Sequence, residues 1–241
     1  MKALYTAVLY KPLLNVLIVL YSYVTFRDLG VAVVLLTIIV RFALWPLFHK
    51  TTRSQIVMQK IQPEIKRIQK EQKQNRVRQS ELLMELYRKH NINPLSGFGL
   101  LLIQIPVIIA LYQVFLNGFK DISASLYSFV PAVSSMNHFF LGFVDLTQPS
   151  IVLTVAAAVA QFIQGKTAGT QTKSEAPRDP NEAPDTAALI SKQMMFIAPV
   201  ITLVVLWNLP AVVGIYWFTT TVFSIFQQAI VHAHLRTEAA R

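Results

Sequence analysis

The run from Leu29 to Phe48, LGVAVVLLTIIVRFALWPLF, decides the fold class. A helix needs ~20 largely apolar residues to cross a hydrocarbon core ~30 Å thick. This run meets that length, and Arg41 is the single charge that interrupts it. The rest of the chain is of the same kind. Of its 241 residues, 54% are hydrophobic and 14% charged, whereas ordinary soluble domains carry ~25% charged residues. So many apolar residues exclude a disordered chain, and so few charges argue against a water-soluble globule of this size. The chain has no Cys, which excludes disulfides, thiolate metal sites and Cys nucleophiles together.

Working outward, four more runs qualify as spans: Pro94 to Leu116, Ser150 to Gln164, Gln193 to Leu209 and Ala211 to Val231. Only Asn208-Leu209-Pro210 separates the last two, so they are antiparallel neighbours. The amino-terminal stretch Pro12 to Phe26 is also apolar, but Lys11, Asn15 and Arg27 leave it about fifteen clean residues. That length suits a helix lying in the membrane interface; a spanning or a cleaved segment is the alternative. The expected fold is an all-α integral membrane protein with five transmembrane helices. Residues 1–27 form an amphipathic interfacial helix, 28–49 the first transmembrane helix and 50–92 a cytoplasmic helical hairpin. Residues 93–241 supply the other four spans, with an outer loop at 117–149, an inner loop at 165–192 and a short carboxy-terminal tail.

Charge orients this arrangement. Residues 50–90 hold eleven of the twenty-two Lys and Arg against four Glu, leaving +7 of the net +10 in that segment. Basic loops stay on the cytoplasmic side, so the 50–92 segment and the tail are inside and the amino terminus outside. Within the segment, Ile61, Ile65 and Ile68, then Leu82, Leu83, Leu86 and Tyr87, fall at helical spacing on either side of KQKQNRVRQ. The expectation is an antiparallel pair with a narrow apolar seam of Ile61, Ile65, Ile68, Leu82 and Leu86, a turn near Asn75, and a kink or restart at Pro63. Its basic face fits anionic lipid and equally a docking element for a nascent chain. Direct nucleic-acid binding is disfavoured, since aromatic side chains are nearly absent.

Arg41 is the most informative residue. In a straight helix it lies ~18 Å from the Leu29 end and ~10 Å from the Phe48 end. A guanidinium at that depth is unfavourable by at least ~2.5–3.5 kcal/mol, and none of the five spans contains an Asp or Glu to pair with it. It either snorkels to the cytoplasmic interface or faces a wet cavity, and Arg41 by itself leaves both arrangements open. Polar side chains elsewhere favour the cavity. Trp217, Thr220, Ser224 and Gln228 share one face of the last span, Gln161 lies in the third, Gln104 in the second, and Thr37 shares the first span with Arg41. Interhelical hydrogen bonding accounts for scattered Thr and Ser; a polar groove open to the cytoplasm accounts for an unpaired Arg among several amides as well. No phosphate-binding loop, metal-ligand spacing or intramembrane acid is present, so no enzyme chemistry, metal or cofactor is expected. An anion-selective channel or solute transporter, or a structural docking subunit, are the competing classes.

The ordered set of motifs resembles the YidC/Oxa family of membrane protein insertases. It includes LYKPLLNVLIVLYSY, GVAVVLLTIIVRFALWPL, TTRSQIVMQKIQPEIKRIQ, ELLMELYRKHNINPLSG, LLIQIPVIIALYQVF, FFLGFVDLTQPS and MMFIAPVI followed by LPAVVGIYWFTTTVFSIFQQ. The resemblance is to short bacterial YidC-type members without a large periplasmic domain. It implies a multi-pass protein of the bacterial cytoplasmic membrane that needs no cofactor. It also implies a groove whose arginine aligns with Arg41, and release of hydrophobic segments of nascent membrane proteins sideways into lipid. The implied partners are those nascent chains, membrane lipids, the Sec translocon and the ribosome. Gly99-Leu100-Leu101 and Thr221 depart from the family pattern, and the tail is far shorter than the basic tail of mitochondrial members.

Overall fold

A computed structural model of the chain describes residues 2–93, 104–110, 112, 113, 125–131, 133, 136–169 and 186–239. The expected second span, Pro94 to Leu116, therefore lies largely outside the described residues, as do the centre of the expected inner loop and much of the outer loop.

The first helix, α1, joins four consecutive stretches, Lys2–Tyr5, Thr6–Tyr10, Lys11–Val19 and Leu20–Val24, of which the second and fourth are wound as π-helix. Proline lacks an N–H and crowds the preceding turn, and the wider winding ahead of Pro12 lets the helix pass through it; the Lys11 N–H reaches back five residues to Thr6. The helix is thus longer than the stretch of about fifteen clean residues read from the sequence. By length and composition Thr6–Val24 alone suffices to cross a bilayer. Its inner face, Leu14, Leu17, Ile18 and Tyr21, is buried against the main core, and its polar Asn15 is buried with it. The Asn15 side chain donates to Ser125 O (3.0 Å) and accepts from Tyr127 N (2.7 Å), while Tyr21 Oη accepts from Asn137 N (2.8 Å). Two polar groups on an apolar helix thus hold the backbone at Ser125, Tyr127 and Asn137.

A left-handed pair, Phe26 and Arg27 (φ 51° and 63°), turns the chain into α2, Leu29–Ala43. Asp28 caps α2 by accepting from Val31 N (2.9 Å), and its second carboxylate oxygen accepts from Leu141 N (2.6 Å). Leu141 belongs to a short antiparallel ribbon, β1 (Phe139–Phe140) with β2 (Val144–Asp145). The all-α expectation missed this ribbon, although a short loop holding Gly142 between two apolar runs, Phe139-Phe140 and Phe143-Val144, is a hairpin signal. A Cβ on Gly30 would come within 2.2 Å of the Phe140 ring, so only glycine lets the ribbon pack on the start of α2. Gly30→Val should destabilise the fold by about 1–3 kcal/mol through forced displacement of Phe140, read as a lower melting temperature in detergent.

The expected straight span Leu29–Phe48 is two helices. Helix α2 stops at Ala43, Leu44 leaves the helical region, and α3, Trp45–Lys60, restarts with Pro46 in its first turn, bent from α2 by 74°. Pro46 cannot extend a helix but is well suited to begin one. Ile61 then links α3 to α4, Gln62–Glu71, where Pro63 again marks a first turn, and α5 follows over Arg76–Lys89 with Asn75 as its cap. Helices α4 and α5 make the expected hairpin. Its buried seam contains Ile61, Ile65, Ile68 and Leu86 as read, joined by Leu83, Tyr87 and Ile92. Leu82 lies outside it: the seam follows residues 83, 86 and 87, and Leu82 sits on the adjoining flank. Leu86→Ala should loosen the hairpin by about 2 kcal/mol, seen as faster proteolysis near residue 75.

Among the described residues, a helical stretch at 104–110 precedes three further helices, α6 (Ile151–Gly169), α7 (Thr186–Leu206) and α8 (Ala211–Ala239). Helix α8 packs on α2, α3 and α6. Both ends of the expected inner loop 165–192 are helical, and the expected tail after Val231 is the last part of α8. It stays helical because Val231 and Leu235 pack on Ile56 of α3, and Glu238 pairs with Arg53 at 3.0 Å. Val152, Val155, Val159 and Ile163 on α6, and Ile197, Val200, Ile201 and Val204 on α7, are exposed. Contiguous apolar stripes of this kind would drive aggregation in water and are what a bundle presents to lipid. The chain is a membrane protein.

Candidate functional site

The bend between α2 and α3 creates the site. Arg41 lies in the last turn of α2, two residues before its end, so ~3 Å of helix rise separates it from the break. The free carbonyl groups of that turn favour a cation. In a straight helix Phe48 would sit ~10 Å further along the axis. The bend instead carries the Phe48 ring over the guanidinium, with Arg41 Cζ 4.3 Å from the ring centroid, and Phe223 of α8 lies 6.0 Å away on another side. Arg41 is only 6% exposed. Among the described residues no carboxylate pairs with it; ion pairs such as Arg53 to Glu238, Arg67 to Glu71 and Arg78 to Glu81 lie at the surface instead. The cation is held by aromatic faces and a helix end.

A small pocket opens beside it, with room for about one water molecule. Thr37, Arg41, Phe48, Gln104, Val107 and Tyr216 are among its lining residues. Gln104 Nε2 donates to Tyr216 Oη (2.6 Å), and Thr37 donates to Val33 O within its own helix (2.7 Å). Among the described residues no side chain accepts a hydrogen bond from the guanidinium. Phe42, Trp45 and Phe223 form an aromatic group at the bend, with ring centroids 5.2–6.0 Å apart. Chemically the pocket suits a carboxylate or a carbonyl oxygen.

The structure therefore brings together Thr37, Arg41 and Gln104, three of the residues expected to form a groove. Thr220 is buried one turn beyond Tyr216 on the same helix. Trp217 packs against the main core, and Ser224 is half-buried and donates to Thr220 O (2.9 Å). Two expected groove residues lie elsewhere. Gln161 pairs with Thr202 of α7, and Gln228 accepts a long bond from Thr167 of α6 (3.4 Å). Both amides serve helix-to-helix bonding, because their faces of α6 and α8 meet a neighbouring helix. Tyr216, Phe48 and Phe223 were not anticipated. Their signal was available for α8, where Tyr216, Thr220, Phe223 and Gln227 share a face; a search for polar side chains alone selected the adjoining strip.

The family model described as 60Kd inner membrane protein matches residues 19–238. A protein of Oleidesulfovibrio alaskensis described as membrane protein insertase YidC is 33% identical over 218 residues, covering 90% of this chain and 37% of that protein. A protein of Syntrophobacter fumaroxidans with the same description is 33% identical over 226 residues, covering 93% and 38%. Among solved structures, an active YidC insertase with its first transmembrane domain resolved superposes with a TM-score of 0.60 at 26% identity, covering 92% of this chain and 45% of that one. The chain spans somewhat more than a third of the length of the curated relatives it matches.

Proposed function

The chain belongs to the 60Kd inner membrane protein family, and on that premise we propose that it acts as a membrane protein insertase and chaperone. It receives hydrophobic segments of newly made proteins at the Arg41 pocket and releases them laterally into the bilayer. The observation that carries this reading is a buried guanidinium at a helix break, without a carboxylate partner among the described residues, beside Gln104, Thr37 and Tyr216. A client's short outer segment must pass ~30 Å of hydrocarbon, where each polar group needs a partner. A cationic donor at the break shortens the dry part of that path and draws acidic groups, more strongly in low dielectric than in water. The apolar part of the client then leaves because lipid solvates it better. No covalent step is involved, and the role is not that of an enzyme.

In this reading the chain crosses the membrane five times, with α1 at the outer interface and the α4–α5 hairpin and the end of α8 in the cytoplasm. Arg41, Thr37, Gln104, Tyr216 and Thr220 line the groove, with Trp217 and Ser224 on its adjoining strip. The basic hairpin meets anionic lipid and incoming nascent chains, and the Sec translocon and the ribosome are the machinery beside which it works.

Reconstitution tests this. Vesicles containing the purified chain should protect a single-span client from external protease, and protein-free vesicles should not. The same vesicles should show no chloride leak. Chloride leak without client protection would instead support the anion channel.

A further inference from the structure

The face of α8 that meets α2 and α3 carries polar groups well beyond the Arg41 pocket. Tyr216, Thr220, Phe223, Gln227 and Val231 recur at intervals of three or four residues, which places them on one side of the helix. Contacts identify that side. Tyr216 lines the Arg41 pocket, Phe223 packs edge-on against Phe42 and Trp45, and Val231 packs with Ile56 of α3. Thr220 and Gln227, the positions between them, are 9% and 1% exposed. Among the described residues, Gln227 Nε2 is buried without a hydrogen-bond partner. On α3, Phe48, Thr52 and Ile56 follow at intervals of four residues, so buried Thr52 holds the matching place between the aromatic group and Ile56.

A buried amide without a partner bears its full desolvation penalty and gains nothing for it. If the closed seam were the sole state of this surface, an apolar side chain at position 227 would be the more stable choice. The amide is satisfied only when α3 and α8 part and a hydrogen-bond acceptor lies between them. At its far end the seam is closed by the small cluster of Ile56, Val231 and Leu235, and the solvent-exposed Arg53–Glu238 pair adds little to it.

We propose that the α3–α8 seam is a second substrate-binding limb, continuous with the Arg41 pocket, which opens to admit an extended polypeptide segment. The Gln227 amide donates there to the segment's backbone carbonyl groups. The proposal rests on the insertase reading and adds to it where the client's backbone is held. From Tyr216 to Gln227 the helix rises ~16 Å, a span filled by about five residues of extended chain. Such a segment brings unpaired carbonyl oxygens into an apolar interior, and donors along its route meet that need.

Two variants of the full chain in vesicles test this. Gln227→Leu should melt in detergent at the same temperature as wild type or higher, yet insert clients about three- to tenfold more slowly. Arg53→Cys with Glu238→Cys places the two added thiols as the only ones in the chain. Joining them with a cleavable bis-maleimide should stop insertion, and cleaving the linker should restore it. Insertion by Gln227→Leu at the wild-type rate overturns the proposal. So does a lower melting temperature for that variant, which marks a structural role, and so does full insertion by the linked chain. Wild type is measured alongside: its failure to insert any client sinks the insertase reading and this proposal with it, whereas the other outcomes sink the seam alone.

Discussion

Arg41→Ala is expected to reduce insertion of clients with acidic outer segments by about tenfold to a hundredfold, and of clients with neutral outer segments by less than about threefold. Two unit charges at 4 Å attract by ~4 kcal/mol at an effective dielectric constant of ~20. Desolvation of the client's carboxylate offsets part of this, leaving ~1.4–2.8 kcal/mol, which is that range of rates. Arg41→Lys keeps the charge but loses the planar fork that meets a carboxylate through two bonds, so it should retain part of the activity. Protease protection of clients in reconstituted vesicles measures both. The loss is separable from misfolding. Arg41→Ala removes a buried charge without a carboxylate partner among the described residues, but also its contact with the Phe48 ring and its packing. Misfolding would slow both client classes alike, whereas loss of the charge slows the acidic ones selectively. Equal insertion by all three proteins would exclude the receptor role.

The second large effect is structural. Asn15→Ala deletes the acceptor for Tyr127 N and the donor to Ser125 O. Both bonds are part-buried, and each contributes about 0.5–1.5 kcal/mol, so the variant should lose about 1–3 kcal/mol. For a chain of this length that lowers the melting temperature by roughly 2–12 °C. Because both lost partners lie in the outer segment 125–137, external protease should cut that segment first, well before the core helices. Melting at the wild-type temperature would show that α1 is held by its apolar face alone.

These effects also mark how far the sequence carried. The basic hairpin was legible because its isoleucines keep a helical period in an otherwise charged segment, and Pro63 and Asn75 punctuate it where the structure does. The choice of Leu82 over Leu83 failed because both are leucine and only the azimuth of the partner helix distinguishes them. Arg41, Thr37 and Gln104 stood out as polar groups in apolar runs, and they do converge. The 74° bend was not foreseen, because a 20-residue apolar run satisfies the length rule whether straight or broken. Pro46 carried the signal for a restart. Placing the bend changes the meaning of Arg41: it sits at a helix end under an aromatic ring, not deep within a straight span.

Asn15 shows the converse. Read along the chain, it shortened an apolar stretch; in three dimensions it ties that stretch to a segment more than a hundred residues away. Gln161 and Gln228 were read as groove amides, yet both found partners on neighbouring helices, which is the common fate of amides in bundles. Sequence reveals that a polar group is present in an apolar helix. Which neighbour satisfies it depends on helix rotation, which residue type alone does not encode.

On the insertase reading, Arg41 acts on the client's acidic outer residue directly. A double-mutant cycle measures this: insertion rates for wild type and Arg41→Ala, each with a client carrying Asp or Asn at the outer position. If the two groups meet, removing either slows insertion by a similar factor, and removing both slows it little further. Independent, multiplying losses would contradict the account.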